Sequence, residues 1–65
     1  MFGEKLKELR TEKEYSQNEL AKKLNVSKQN ISDWENGKSE TSFEMLTKIA
    51  KFFDVRTDFL LGLED

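Results

Sequence analysis

Three features of this 65-residue sequence predict an all-α fold. Apolar residues recur at three- and four-residue spacings, as they do along one face of a helix. Pro is absent, only 3 Gly occur and 37% of the residues are charged, a composition that suits short solvated helices better than a turn-rich β sandwich. Helix-start signals of the S-x-x-E kind stand before the apolar runs. The length allows one domain, residues 1–65, near the lower limit for a chain that folds without staples. With no Cys and no His, disulfides, thiolate chemistry and the usual zinc ligand sets are excluded.

The first helix is expected over Phe2 to Glu14, because Phe2, Leu6, Leu9 and Lys13 form one stripe and Glu and Lys fill most other positions. Ser16 with Glu19 makes a capping box, so the second helix begins at Gln17. Leu20, Ala21 and Leu24 are its inner face, Lys22 and Lys23 its outer one, and Asn25 stands where a residue of positive φ closes a helix. After the turn Asn25-Val26-Ser27, Ser27 caps a third helix from Lys28 to about Asn36, which Gly37 terminates. Thr41 with Glu44 is a second box, so the fourth helix starts at Thr41 or Ser42 and runs through Phe43 to Phe53. It buries Phe43, Leu46, Ile49, Ala50 and Phe53. Thr57 is the better cap for a short fifth helix, Asp58 to about Leu61, which adds Phe59 and Leu60 to the core.

The third helix carries a pattern that packing does not require. Ile31 and Trp34, with Val26 before them, are its buried side, leaving Lys28, Gln29, Ser32, Asp33 and Asn36 outside. A helix needing only solubility would more often show Glu and Lys there. Gln, Asn and Ser are neutral donors and acceptors of the kind that meet base edges and phosphates. Net charge points the other way: it is −2, with a pI of about 5.1, against the basic balance usual for a nucleic-acid binder. The excess acid lies in residues 42–65, with three Lys/Arg against five Asp/Glu, whereas the two earlier thirds are balanced. Charges more than about 10 Å away are largely screened.

Gln17 through Gly37 resembles the helix-turn-helix of the phage-repressor and Cro-type (Xre) family of transcriptional regulators. The likeness rests on spacing: Gln17 opening the first motif helix, Leu20 and the small Ala21, the turn, Val26, Ile31, Trp34, then Glu35-Asn36-Gly37. F-G-E-K-L-K-E-L-R near the start and L-T-K-I-A-K-F-F-D-V near the end also look like family sequence. The resemblance implies a compact five-helix bundle with the motif at about residues 17–36, and a second motif helix that enters the major groove by its N-terminal end. It makes Lys28, Gln29, Ser32 and Asp33 the candidate base contacts. Ser16, Gln17, Ser27, Asn36, Lys38 and Ser39 are the candidate contacts to the DNA backbone. It also suggests an ion pair between Arg10 and Glu35 that locks the scaffold to the reading helix. Phe52, Arg56, Phe59, Leu61 and Leu63 are candidate dimer contacts, since family members pair through this region. Two departures from the family pattern are Thr41 in place of a common Pro and Arg56 in place of a common Ser cap.

The sequence therefore predicts a transcriptional repressor or regulator that binds a palindromic double-stranded DNA operator as a homodimer. No cofactor, metal, small-molecule ligand or catalysis is expected. No apolar run approaches the roughly 20 residues that span a bilayer and Met1-Phe2-Gly3-Glu4 begins no signal peptide, so a cytoplasmic, nucleoid-associated location in a bacterial cell is expected. The rival is a protein-interaction module, antitoxin-like or an assembly domain, which keeps the fold with little DNA affinity. The acidic pI favours it. The polar face of the third helix favours DNA, because a protein interface would concentrate aromatic residues and Met at its centre.

Overall fold

A computed structural model describes residues 2–63. The elements are α1 (Phe2–Glu12), α2 (Gln17–Leu24), α3 (Lys28–Glu35), α4 (Phe43–Phe53) and α5 (Thr57–Leu60), and no strand occurs among the described residues. α3 packs on α1 and α2, and α5 packs on α1 and α4. One core runs through them: Leu6 and Leu9 of α1, Leu20, Ala21 and Leu24 of α2, Ile31 and Trp34 of α3, Ile49, Ala50 and Phe53 of α4, and Leu60 of α5. Phe2, Tyr15, Val26, Met45, Leu46, Val55 and Phe59 close its margin. No helix among the described residues is long and apolar enough to cross a membrane.

Serine caps start the three middle helices. Ser16 accepts from the Glu19 N–H at 3.0 Å while the Ser16 N–H donates to Glu19 Oε1 at 2.8 Å, completing the box. Ser27 accepts from the Asn30 N–H and Ser42 from the Met45 N–H, each at 3.0 Å. Ser42 is thus the cap of α4. α5 begins one residue before the expected start, with Thr57 inside the helix and Arg56 at the cap position, where it makes no side-chain cap bond. The Phe59 N–H finds the Arg56 carbonyl at 3.0 Å, so the first turn closes on the backbone and leaves the Thr57 hydroxyl no capping role.

All five helices end by one device. A residue in the left-handed region follows the helix at Glu14 (φ 61), Asn25 (φ 60), Gly37 (φ 72), Asp54 (φ 57) and Gly62 (φ 75). The next residue's N–H reaches back to a carbonyl five residues earlier: Tyr15 to Arg10, Val26 to Ala21, Lys38 to Asp33, Val55 to Ala50 and Leu63 to Asp58, at 2.8 to 3.0 Å. This pairing satisfies carbonyls that the helix leaves open and turns the chain sharply. At three of the ends the residue making the bond is Tyr15, Val26 or Val55, and its side chain packs back on the core. The device corrects α1, which stops at Glu12 rather than Glu14. Glu14 leaves the helical region, so Lys13 is exposed beyond the helix and Tyr15 turns inward. α3 likewise ends one residue early, with Asn36 as its cap.

Phe43 is the other correction, being 76% exposed where the periodicity put it in the core. It is the first residue of α4. Helical side chains lean toward the N-terminus, so at this position the ring projects past the end of the core instead of onto it. A cross-link unseen in the sequence ties α4 to α2, where Lys48 Nζ donates to the Leu24 carbonyl at 2.7 Å, a cation on the last turn of α2.

Gly3 sets how closely α1 approaches α3. A Cβ there would collide with the Trp34 carbonyl oxygen and lie 2.9 Å from the Glu35 carbonyl oxygen, both of them backbone atoms that cannot swing aside. Gly3→Ala is therefore expected to destabilise the fold by about 1–3 kcal/mol, the usual cost of overpacking. Urea denaturation checks this as a lower midpoint at unchanged slope.

The capping box predicts a pH effect. Hydrogen bonds from the Ser16 backbone N–H and then the Ser16 hydroxyl, helped by Lys23 and Lys22, hold the Glu19 carboxyl below its ordinary value of 4.5. A depressed carboxyl contributes stability above that ordinary value and loses it as pH falls through the lower folded value. The Tm advantage of the protein over Glu19→Gln, present at neutral pH, should shrink as pH is taken below about 4.5; a gap that stays constant to pH 3 would refute this.

Candidate nucleic-acid interface

The outward side of α3 presents Lys28 and Gln29 exposed and Ser32 and Asp33 half-buried, opposite the buried Ile31 and Trp34. Two contacts order this face. Gln29 Nε2 donates to Asp33 Oδ1 at 2.8 Å, one turn along, and Asn36 Nδ2 donates to Ser32 Oγ at 3.4 Å. Ser16 and Ser27 stand at the N-termini of α2 and α3, where each hydroxyl oxygen is used as a cap; the Ser16 O–H is engaged by the Glu19 carboxylate, whereas Ser27 keeps its own as a donor. Lys38 and Ser39 are exposed on the segment after α3.

Behind this face, one carboxylate gathers three helices. Glu35, at the end of α3, accepts from Arg10 Nε at 2.6 Å on Oε2, and on Oε1 from Arg10 Nη2 and Gln17 Nε2, each at 3.1 Å. Arg10 also donates through Nη1 to the Tyr15 carbonyl at 2.8 Å, pinning the link between α1 and α2. The Glu35 side chain is 3% exposed and that of Arg10 12%, so this is an interior pair and not two surface residues that happen to meet. Its forked geometry suits guanidinium and carboxylate, and among the described residues no buried side-chain polar atom lacks a partner. Gln17 thus braces α3 from the start of α2. With Nε2 committed to an acceptor-only group, its Oε1 and second N–H remain for other partners.

The remaining candidates do not gather at one place. Phe52 is 38% exposed, with its ring centroid 6.1 Å from that of Tyr15 and 5.0 Å from that of Phe53, near the C-terminal end of α1. Phe59 is half-buried beneath the Lys5 ammonium, 5.0 Å from the ring centroid. Arg56 is exposed and 3.7 Å from the Asp58 carboxylate. Leu63 is exposed beyond α5, and Leu61 borders a shallow groove shared with Phe2, Trp34 and Leu46 at the other end of α1. Sequence reasoning missed Gly3 seated against α3, the Tyr15 carbonyl that holds Arg10 and Lys48 on the end of α2. A helical Gly invites suspicion of a close approach, but nothing in the chain announces a Tyr carbonyl or a Lys that will meet a distant helix end.

Comparison with known proteins gives a consistent result. The helix-turn-helix family profile matches residues 6–60. The chain is 48% identical over 64 residues to the HTH-type transcriptional activator BcrR of Enterococcus faecalis, covering 98% of this chain and 31% of that protein. It is 46% identical over 61 residues to the SPbeta prophage-derived uncharacterized HTH-type transcriptional regulator YonR of Bacillus subtilis (strain 168), covering 94% of this chain and 56% of that one. The chain therefore spans about a third to a little over half the length of these relatives. Among solved structures, that of SinR, the master regulator for biofilm formation, in complex with DNA matches with a TM-score of 0.84 at 37% identity, covering 94% of this chain and 98% of that chain.

The interior pair predicts a stability effect. Arg10→Met leaves the Glu35 carboxylate buried without its cation, a change that costs about 3 to 5 kcal/mol. For a domain of this size that is a fall in Tm of about 12 °C or more. A melting temperature within a few degrees of the parent would deny Arg10 its locking role.

Proposed function

This chain belongs to the helix-turn-helix family, of the phage-repressor (Xre) type, and on that premise we propose that it binds double-stranded DNA with sequence preference and regulates transcription by occupying an operator. In this reading α3 enters the major groove by its N-terminal end. Lys28, Gln29, Ser32 and Asp33 face the base edges. Ser16, Gln17, Ser27, Asn36, Lys38 and Ser39 hold the sugar-phosphate backbone on either side, joined by the free amides at the starts of α2 and α3. The observation that carries the reading is a polar outer face on a helix whose other side is anchored to α1 and α2 through the buried Glu35 carboxylate. A reading element must hold its side chains within a fraction of an ångström of the bases, and that anchorage is the means.

The relatives are named as transcriptional regulators, and we assign this chain no catalytic step. We further propose that it acts in the cytoplasm as a homodimer on a palindromic site; Phe52, Arg56, Phe59, Leu61 and Leu63 are spread too widely for one small patch, so a two-fold interface would take only some of them. Two-fold symmetry in the protein would then be mirrored in the operator. The net charge of −2 favours a second reading, a protein-interaction module with little DNA affinity.

Selection of bound sites from random duplex DNA separates the two. A regulator enriches a palindrome, and its affinity falls about a thousandfold or more between 50 and 200 mM salt if six or more phosphates are neutralised. Absence of any enriched sequence would transfer the assignment to the protein-binding module.

A further inference from the structure

The Gln29–Asp33 contact carries an inference about which base the reading helix prefers, resting on the DNA-binding reading above. A free glutamine amide can face a base with either end, because its oxygen and its NH2 group are nearly the same size. Here the choice is made before any DNA arrives. Asp33 lies one turn after Gln29 on the same face, and Gln29 Nε2 donates to its Oδ1 at 2.8 Å. A carboxylate offers acceptors only, so the NH2 end must point to Asp33 and Oε1 must point away. One N–H is thereby consumed. What Gln29 presents outward is one acceptor, Oε1, and one donor, the second N–H.

We propose that Asp33 is a positioning residue that sets Gln29 to read adenine and reject guanine at one base pair. In the major groove adenine shows a donor, the N6 amino group, beside an acceptor, N7, which pair with Oε1 and the remaining N–H. Guanine shows two acceptors, O6 and N7. To satisfy both, Gln29 would need both of its N–H groups, and one is held by Asp33. Its Oε1 would otherwise be set against O6, acceptor against acceptor. Cytosine and thymine offer no such adjacent donor and acceptor pair. Asp33 thus exerts its effect through the Gln29 amide, and its negative charge near the groove is a separate, sequence-independent penalty.

Two measurements test this. In the free protein, the 15N-resolved NH2 pair of Gln29 should be displaced from the shifts of an unbonded glutamine and should return to them in Asp33→Ala; no movement would show that the lock does not exist. Site selection from random duplex DNA is then run with the parent, Gln29→Ala, Asp33→Ala and Asp33→Glu, each first shown to melt cooperatively. The parent should demand adenine at one position of each half-site, and Gln29→Ala should erase the demand there alone. Asp33→Ala should reduce the adenine-to-guanine ratio at that position about tenfold while other positions keep theirs, and Asp33→Glu, which restores an acceptor-only partner, should recover most of the ratio. A folding defect lowers affinity for every sequence alike and cannot produce a change at one position. The proposal is overturned if the parent prefers guanine at the position governed by Gln29, or if Asp33→Ala leaves the ratio intact. If the parent selects no sequence at all, the DNA-binding reading falls and this proposal with it, whereas a selected site with an unchanged ratio removes only the role of Asp33.

Discussion

The orientation of α3 depends on the buried carboxylate of Glu35. It receives three hydrogen bonds, two from Arg10 on α1 and one from Gln17 on α2. Apolar packing of Leu20, Ala21, Ile31 and Trp34 brings the helices together but resists sliding and rotation weakly, because the hydrophobic effect has no direction. Hydrogen bonds to a fixed fork of N–H groups do have direction. A buried ion pair often adds little net stability over an apolar replacement of the same shape, since both charges must leave water. The contribution proposed for this one is a fixed angle between α3 and the other two helices, gained at small net change in free energy.

Short helices in a 65-residue chain leave little room for loops, and the way the helices end makes short loops sufficient. Each helix is closed by a residue of positive φ and a backward hydrogen bond, which reverses the chain within a few residues and satisfies open carbonyls. Two of those five residues are Gly and one is Asn, for which the conformation is easy. Asp54 tolerates it much as Asn does, which leaves Glu14 as the residue for which it carries some strain. Tyr15, which follows Glu14, packs on the core and offsets that strain.

A chain with net charge −2 that reads DNA would draw less on bulk attraction to phosphate and more on placed contacts. That makes rigidity matter more. Gln17, Gln29 and Ser27 each have a partner inside the protein, so their remaining donors and acceptors are aimed before a ligand arrives. Less side-chain entropy is then lost on binding.

Local chemistry is what the sequence by itself determined. It was enough to place five helices, the Ser16–Glu19 box, the Asn25 and Gly37 closures and nearly all of the core, because caps and 3.6-residue periodicity act within a few neighbouring positions. Those signals stop at the ends of elements. Nothing local marks Glu14 as left-handed, excludes Thr57 as a cap or says that Phe43 overhangs the core, since each depends on what lies beside it after folding. The candidate contacts on α3 were legible as polar residues on a face with no packing need. The resemblance already paired Arg10 with Glu35, and only the tertiary structure decided the rest of how they are held: Gly3 seated against the Trp34 and Glu35 carbonyls, Lys48 on the end of α2, Gln17 joining Arg10 on Glu35. These partners lie 18 to 32 residues apart in the chain, and sequence reading missed Gly3 and Lys48 because a hydrogen bond or a close approach is set by distance in space.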